Sequence, residues 1–240
     1  MFKSFVNICN SIKTANLLLS LLIFFFIAGA LQMPGNPSFD SLQDVKLFQW
    51  LEEKPLQTNW WIWGSIIVLG LLAVNTVFCS TTSLLKKKEK RNWQLAIAPQ
   101  VVHLGFCFIL LAHLLSATGS YRKSAVLYEG NTLELGQGTS VFVKKIDFQL
   151  QYGRAVDPKA HIQIQSQQAP VKTATISLNN PVFVDGTGIY IKNIFFNQGK
   201  AALLETAKDP GALWALLGSI LFSFGTALFF LLKIKYKISD

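Results

Sequence analysis

Long apolar runs alternate with polar segments along the chain, and four of the runs are of membrane-spanning length. They cover about residues 14–33, 60–80, 95–118 and 212–232. A helix that crosses the hydrocarbon core of a bilayer needs about 17–25 mostly apolar residues. The pattern therefore predicts an integral membrane protein with four transmembrane helices.

The first apolar run allows two interpretations. Lys3 and Lys13 precede it, and Ala28-Gly29-Ala30 near its end has the small-residue pattern of a signal-peptide cleavage site. We favour a retained helix over a cleaved signal peptide. An uncleaved first span that begins in the cytoplasm agrees with the charge bias of all later segments.

Residues 34–58 are predicted to form a loop that contains a short amphipathic helix. The sequence PGNP at 34–37 ends the first helix, and apolar residues recur through 41–53 with helical spacing. Such a helix is expected to lie on the membrane surface. Trp60, Trp61 and Trp63 open the second run and are typical of an aromatic belt at the membrane–water interface.

Residues 121–209 have a different pattern, in which polar and apolar residues alternate as in β-strands. Alternation is clear at 140–151 and 161–165, and the segments 182–184 and 189–196 also resemble strands. Turn-forming residues punctuate the stretch at Gly130-Asn131, Asn179-Asn180-Pro181 and Asp185-Gly186-Thr187-Gly188. About 90 residues suffice for a small β-sandwich or barrel-like core.

The predicted fold class is membrane α+β, with four transmembrane helices and a small β-rich extracytoplasmic domain between helices 3 and 4. The N-terminal membrane region takes residues 1–120, and the β-rich domain takes 121–209. Residues 210–240 hold the last span and a cytoplasmic tail, with Pro210 at an early helix position, where proline is well tolerated.

Basic residues are concentrated directly after apolar runs, in KKKEKR at 86–91 and in Lys233, Lys235 and Lys237. The formal net charge is +9, and only 15% of the residues are charged. Since short cytoplasmic loops collect Lys and Arg, we place both termini and the 86–91 loop in the cytoplasm, and the β-rich domain outside. No basic stripe is interleaved with stacking aromatics, so the expected surrounding is the lipid bilayer and not nucleic acid.

The sequence contains no motif of a self-contained enzyme. The three cysteines, Cys9, Cys79 and Cys107, form no CxxC pair, so neither a disulfide framework nor a thiol-redox site is expected. CxxCH, HExxH, GxSxG, Walker and dinucleotide-binding motifs are absent. The carboxylates of residues 121–209 are scattered, and none forms an obvious acid–base pair.

Histidine is the one residue type that suggests a site. His103 and His113 both lie in the third apolar run, where an ionisable side chain is a functional hypothesis by default. Imidazole is an ordinary axial ligand of b-type haem, and the alternative role is a hydrogen bond between helices. His161 lies in the β-rich region near a predicted strand start, where an exposed or hydrogen-bonded side chain is expected.

Helix geometry separates the two candidate ligands. Ten residues correspond to about 15 Å of rise and roughly 80° of rotation, so one iron cannot take both His103 and His113 from this helix. His161 is outside membrane depth and cannot complete a buried site. A haem with two histidine ligands would therefore need its second ligand from another subunit or protomer.

Several segments, in order, resemble the ResB/CcsB family, the membrane partner of System II cytochrome c maturation. NTVFCS at 75–80 resembles the family's NT-x-x-C-S helix end, and His103-Leu104-Gly105 resembles its H-x-G helix. DFQLQY at 147–152 resembles a D-F-x-x-x-Y strand. NPVFVDG at 180–186 with Ile189-Tyr190 resembles an N-x-P segment that has one residue more before its proline. Asp209-Pro210-Gly211 matches the start of the last span.

The resemblance implies a function, a cofactor and partners. A ResB-like chain works with a CcsA/ResC-like protein to move haem outward and present it to apocytochrome c, as part of a cytochrome c haem lyase complex and without catalysing the reaction alone. A thiol-reducing protein is a further implied partner, and the bacterial inner membrane is the implied location. Haem b would bind at His103, with the second histidine from the CcsA-like protein. His113 is a candidate ligand outside the family pattern.

Two alternatives stay open, because the outer domain is smaller than in many family members. This chain also has no tryptophan-rich haem-handling segment like that of the CcsA-like partner. A compact chain of this kind could be a b-haem-binding or anchoring subunit of a membrane electron-transfer complex. It could also be a cofactor-free assembly protein whose histidines pack helices together.

Overall fold

The computed structural model describes residues 11–86, 93–136, 138–166, 169–196 and 199–238. Lys3, Cys9 and most of the KKKEKR cluster lie outside the described residues. The chain divides into two compact units. A β unit consists of Gln43–Val45 and Gly119–Asp209, and the remaining segments belong to a helical unit.

Among the described residues, the helical unit has five α-helices, of which four are long and apolar enough to cross a membrane. The helices are α1 (Ile12–Gln32), α2 (Leu47–Glu53), α3 (Leu56–Lys86), α4 (Trp93–Gly119) and α5 (Ala212–Ile238), with a 3₁₀ helix at Pro37–Gln43. The stretches of spanning length are Ile12–Gln32, Leu56–Leu85, Ile97–Gly119 and Ala212–Lys235. Together with the β-rich region between α4 and α5, they confirm the predicted fold class.

The segment between α1 and α3 differs from the prediction in two respects. Residues 41–43 belong to the 3₁₀ helix, so the short helix α2 covers only Leu47–Glu53. Part of its apolar side is not available to the membrane surface, because the Trp50 side chain is fully buried against Phe39 within the protein. The helix α3 also begins earlier than expected, at Leu56, directly after Pro55, which fits the start of a helix.

Antiparallel helix pairs are built on close contacts at small residues. In the α1–α3 pair, Phe25 lies against Gly64 and Trp61 lies against Gly29. In the α4–α5 pair, Gly105 lies against the backbone of Gly218. The glycines leave room for an aromatic ring of the facing helix in the first pair and for the facing backbone in the second, and small residues at helix contacts are common in membrane proteins.

The β unit is an eight-stranded antiparallel sandwich. One sheet has the order β1-β8-β7-β6 and the other β2-β3-β4-β5. The strands are β1 (Tyr121–Tyr128), β2 (Thr132–Gly136), β3 (Thr139–Gln151), β4 (Arg154–Ser166), β5 (Ala169–Ser177), β6 (Val182–Val184), β7 (Thr187–Phe195) and β8 (Ala201–Lys208). Residues from both sheets, such as Val143, Ile162, Ile191 and Leu204, share one core.

Two local features of the sandwich follow from the chain's turn chemistry. Asp185 and Gly186 both have positive φ, of 50° and 76°, which suits the tight turn between β6 and β7. His161 lies in the middle of β4 and not near its start, because the strand continues through Asp157 and Pro158. The pairing with β3 shifts register there, and β5 pairs with β4 only from Lys159 onward. Proline is tolerated in a strand at such a bulge.

Candidate functional site

The candidate site centres on His103 in α4, one of the helices of spanning length. Its half-buried imidazole reaches the neighbouring helix α3, where Ser80 Oγ lies 2.8 Å from His103 Nδ1. His103 is six residues beyond Ile97, where the spanning stretch begins. At 1.5 Å of rise per residue the ring lies about 9 Å inside that end of the span.

The hydrogen bond makes the two ring nitrogens of His103 inequivalent. When the proton is on Nδ1, the N–H donates to Ser80 Oγ and Nε2 keeps its lone pair. When the proton is on Nε2, the Ser80 hydroxyl donates to Nδ1 instead. Only the first arrangement leaves Nε2 able to ligate a metal, so the Ser80 contact bears directly on what His103 can do.

The motif His103-Leu104-Gly105 presents two opposite faces of α4 to two neighbours. Residues two positions apart are separated by about 200° around a helix. His103 contacts α3 through Ser80, whereas Gly105 lies against Phe222 and Gly218 of α5. The histidine and the glycine of this motif therefore have different roles, one polar and one in helix packing.

His113 has a different environment from His103. It is exposed, and the adjacent Ala112 is buried where α5 approaches at Gly211. The structure does not bring the two histidines together, since they lie ten residues apart on one helix. Within the described part of the chain, no group of three or more His, Cys, Asp or Glu side chains could hold a metal ion.

His161 belongs to the β unit and has both ring nitrogens engaged. Nε2 lies 3.1 Å from Asp147 Oδ2, and Nδ1 lies 2.9 Å from Thr175 Oγ1. Asp147 also pairs with Lys145 Nζ at 2.8 Å. These are cross-strand contacts on the outer face of the sheet, as expected for a hydrogen-bonded histidine, and they leave no ring nitrogen free for a metal.

The ion pair in this cluster shifts the protonation of both partners. The hydrogen bond from Lys145 lowers the pKa of the Asp147 carboxyl, and the positive charge of Lys145 adds to this effect. The same hydrogen bond and the charge of Asp147 raise the pKa of Lys145. Both groups are solvent-exposed, so the cluster is an electrostatic feature of the surface and not a buried catalytic site.

The tryptophans that open the second span pack against aromatic side chains of this chain. Trp60 lies against Phe24 and Phe25, with ring centroids 6.4 Å and 5.9 Å away. Trp61 lies near Phe39, and Trp63 lies near Phe48. The sequence interpretation of these residues as interfacial anchors alone therefore omits a packing role.

Sequence reasoning did not single out Ser80 as a functional residue. In the sequence it is the last residue of the NTVFCS segment at 75–80. A polar side chain in an apolar helix is a signal that could have drawn attention to it. Its partner, however, lies 23 residues away and is decided by how α3 and α4 are rotated against each other. Cys79 and Cys107, for which no thiol-redox site was expected, are both free cysteines.

Four helices of spanning length and a β-sandwich between the last two define the chain as a multi-pass membrane protein with one β unit. No protein-family model and no curated protein matches the sequence. Among solved structures, the chain is similar to one described as "Cytochrome c Heme Lyase CcmF". The identity is 14% and the TM-score 0.47, and the match covers 88% of this chain. The chain spans less than half of that protein, since the match covers 45% of its length.

Proposed function

We propose that this chain is a ResB/CcsB-like subunit of a cytochrome c maturation complex. Together with a CcsA/ResC-like membrane protein, it helps haem pass outward and be presented to apocytochrome c, which a thiol-reducing protein keeps reduced. The observation that carries the proposal is a histidine, His103, inside a helix of spanning length, with its Nδ1 2.8 Å from Ser80 Oγ of the neighbouring helix. The family-like segments at 75–80, 147–152 and 180–186 support it.

The donor chemistry of His103 fits a protein ligand of a b-type haem. An imidazole in an apolar helix is a suitable nitrogen donor, and the other histidine of the described helical unit, His113, lies ten residues along the same helix. A second ligand would come from the CcsA/ResC-like partner. Haem, when bound, would supply the iron-porphyrin that is transferred to the apocytochrome, and His103 would hold and orient it.

A b-haem subunit of an electron-transfer complex is the second candidate function. The observation that favours it is the position of His113, which is exposed on the same helix about 15 Å from His103. Two haems at these two depths would form an electron path through the bilayer. A cofactor-free assembly protein is the third candidate, since the Ser80–His103 bond already joins two helices.

The charge pattern supports a specific orientation in the bacterial inner membrane. Both termini and the 86–91 loop are cytoplasmic, and the β unit is extracytoplasmic. Reporter fusions after residue 32, after residue 90 and within the β unit test this orientation. A cytoplasmic signal from the β-unit fusion would contradict it.

Haem content of the purified complex distinguishes the three candidates. The chain is co-purified with its CcsA/ResC-like partner, and reduced-minus-oxidised spectra are recorded for the wild type, His103→Ala, His113→Ala and His161→Ala. We expect His103→Ala to lose the b-haem signal and His161→Ala to keep it, since His161 lies in the β unit. Loss of a separate haem signal in His113→Ala would favour the electron-transfer function.

An assay of maturation completes the test. Cells that carry His103→Ala should fail to attach haem to their cytochromes c while still producing the apoproteins. Unchanged haem content in His103→Ala would refute the ligand assignment. A wild-type complex without haem, combined with failed assembly in the histidine variants, would instead support the assembly function.

A further inference from the structure

The Ser80–His103 contact differs from the contacts that Ser65 and Ser219 make in the described spans. Hydroxyls in membrane helices commonly donate to a carbonyl one turn earlier in their own helix. Ser65 follows this rule, with its Oγ 2.8 Å from Trp61 O, and so does Ser219, with its Oγ 2.7 Å from Ala215 O. Ser80 instead contacts a ring nitrogen on another helix. Its hydroxyl therefore interacts with the His103 side chain of α4.

We propose that Ser80 is a positioning residue for His103, whose Nδ1–H donates to Ser80 Oγ so that the Nε2 lone pair is presented for coordination. The role of the bond in holding haem rests on the proposed function. Which nitrogen of His103 carries the proton, and how the ring is oriented, does not depend on whether haem is bound. Ser80 makes no contact with a ligand itself and acts only through His103.

Three physical effects follow from this bond. With the serine oxygen as acceptor, it holds the proton on Nδ1, and only that tautomer can ligate through Nε2. It limits rotation of the imidazole, because the 2.8 Å contact fixes Nδ1 against α3. It also makes Nε2 a stronger electron-pair donor to a metal, because a hydrogen-bond acceptor at Nδ1–H raises the basicity of a ligating imidazole.

The Ser80 contact also couples the orientation of His103 to the packing of α4. Gly105, on the opposite face of α4, lies against the backbone of α5 at Gly218. The rotation of α4 is therefore fixed from two sides, by a small-residue contact and by a hydrogen bond. An imidazole held in this way is already oriented before haem binds, which lowers the entropy cost of binding.

The variants that test this proposal are Ser80→Ala, Ser80→Thr and the matched control Ser65→Ala. The control removes a hydroxyl from the same helix, but one bonded to its own backbone. In Ser80→Ala we expect ferric-haem affinity to fall about 10–100-fold, the range seen when outer partners of metal ligands are removed. Each tenfold loss that is specific to ferric haem raises the midpoint potential by about 59 mV. Ser80→Thr, which keeps a hydroxyl, should restore the wild-type potential.

A second measurement reads the tautomer without haem. The ¹⁵N NMR spectrum of the histidine-labelled chain, with the His103 signals assigned through His103→Ala, should show Nδ1 protonated and Nε2 unprotonated in the wild type. In Ser80→Ala the same ring should show a mixture of both tautomers. A wild-type ring protonated on Nε2, or a potential unchanged in Ser80→Ala, would overturn the proposal.

The two measurements separate this proposal from the proposed function. If His103→Ala keeps its haem, the ligand assignment fails even where the tautomer result stands. If His103→Ala loses haem while Ser80→Ala matches the wild type in potential and tautomer, the proposed function survives and the positioning role of Ser80 is wrong.

Discussion

Gly105 of α4 and Gly218 of α5 face each other so closely that a methyl group added to either one would lie 2.8 Å from the backbone oxygen of the other. Real side chains almost never come this near to a backbone atom. The contact is reciprocal, and it is continued along the pair where Gly225 lies against Val102. Small residues at these positions set the distance between the two helices.

This contact predicts opposite effects for the same substitution at two glycines. Gly218→Ala should destabilise the helical unit by about 1–3 kcal/mol, because the added methyl group has no space and the helices must separate. Gly70→Ala, where a side chain would meet open space, should be neutral or stabilise by up to about 1 kcal/mol through helix propensity. Unfolding in mixed-detergent titrations measures both. Equal effects would show that the helices are not closely packed at Gly218.

Asn59 is predicted to hold the short helix α2 in place. Its side chain is 1% exposed, and its amide donates to Leu51 O at 2.8 Å and to Lys54 O at 3.1 Å. Asn59→Leu would leave both carbonyls without this donor at a cost of about 1–3 kcal/mol. Hydrogen exchange should then be faster at Lys54, whose amide donates to Trp50 O.

The control for this substitution is Gln49→Ala on the same short helix. Gln49 makes an exposed hydrogen bond to Glu53, and its loss should change stability by less than about 0.5 kcal/mol. Exchange at α2 that is the same in both variants would show that Asn59 does not support the helix.

Trp50 is predicted to be the main apolar anchor of the segment between α1 and α3. The side chain is fully buried, with its ring centroid 5.3 Å from that of Phe39, and its indole N–H donates to Ser38 O. Trp50→Ala should cost about 3–5 kcal/mol, as is usual for removing a large aromatic side chain from a core. Trp60→Ala serves as the comparison, because that side chain is 38% exposed. A loss of stability in Trp60→Ala as large as that in Trp50→Ala would contradict the role of Trp50 as the main anchor.

The ion pair between Lys145 and Asp147 predicts how stability depends on pH. The pKa of Asp147 is lowered in the folded chain, so its contribution is present above the unfolded carboxyl pKa of about 3.9 and is lost as pH falls through the lowered value. The pKa of Lys145 is raised, so its contribution is complete below about pH 10.4 and is lost as pH rises through the raised value.

Asp147→Asn tests both ends of this profile. The variant should lose stability relative to the wild type at neutral pH, and the difference should shrink in strong acid and in strong base. Thermal unfolding of the β unit within the whole chain, followed by β-sheet circular dichroism at a series of pH values, measures it. Asp157→Asn is the control, since it removes a carboxylate that pairs with Lys159 instead. A pH-independent difference for Asp147→Asn would show that the pair is not coupled to folding.

The four spans and the β-rich region could be predicted because both depend on local pattern. A helix in lipid must satisfy its own backbone, so about 20 apolar residues in sequence are sufficient to indicate one. Helix ends were less predictable, and α3 begins at Leu56 and not near residue 60. The start of that helix is set by Pro55 and by local hydrogen bonds, which hydropathy does not contain.

The β-rich character of this region could be predicted, but the pairing of its strands could not. Alternation identified β3 and part of β4, but the pairing of β1 with β8 joins residues about 80 positions apart. The continuation of β4 through Asp157 and Pro158 was also missed. The strand tolerates proline there because no strand pairs with its outer edge before Lys159.

The amino-acid sequence by itself determined which side chains could carry chemistry, because a histidine in an apolar run is costly and therefore conspicuous at His103 and His113. Only the tertiary structure decided that His103 meets Ser80 on α3 while His113 stays exposed. The physical reason is that the faces of a helix are assigned by its packing. The small residues of α4 and α5 fix the rotation that turns His103 toward Ser80, and no local pattern encodes that rotation.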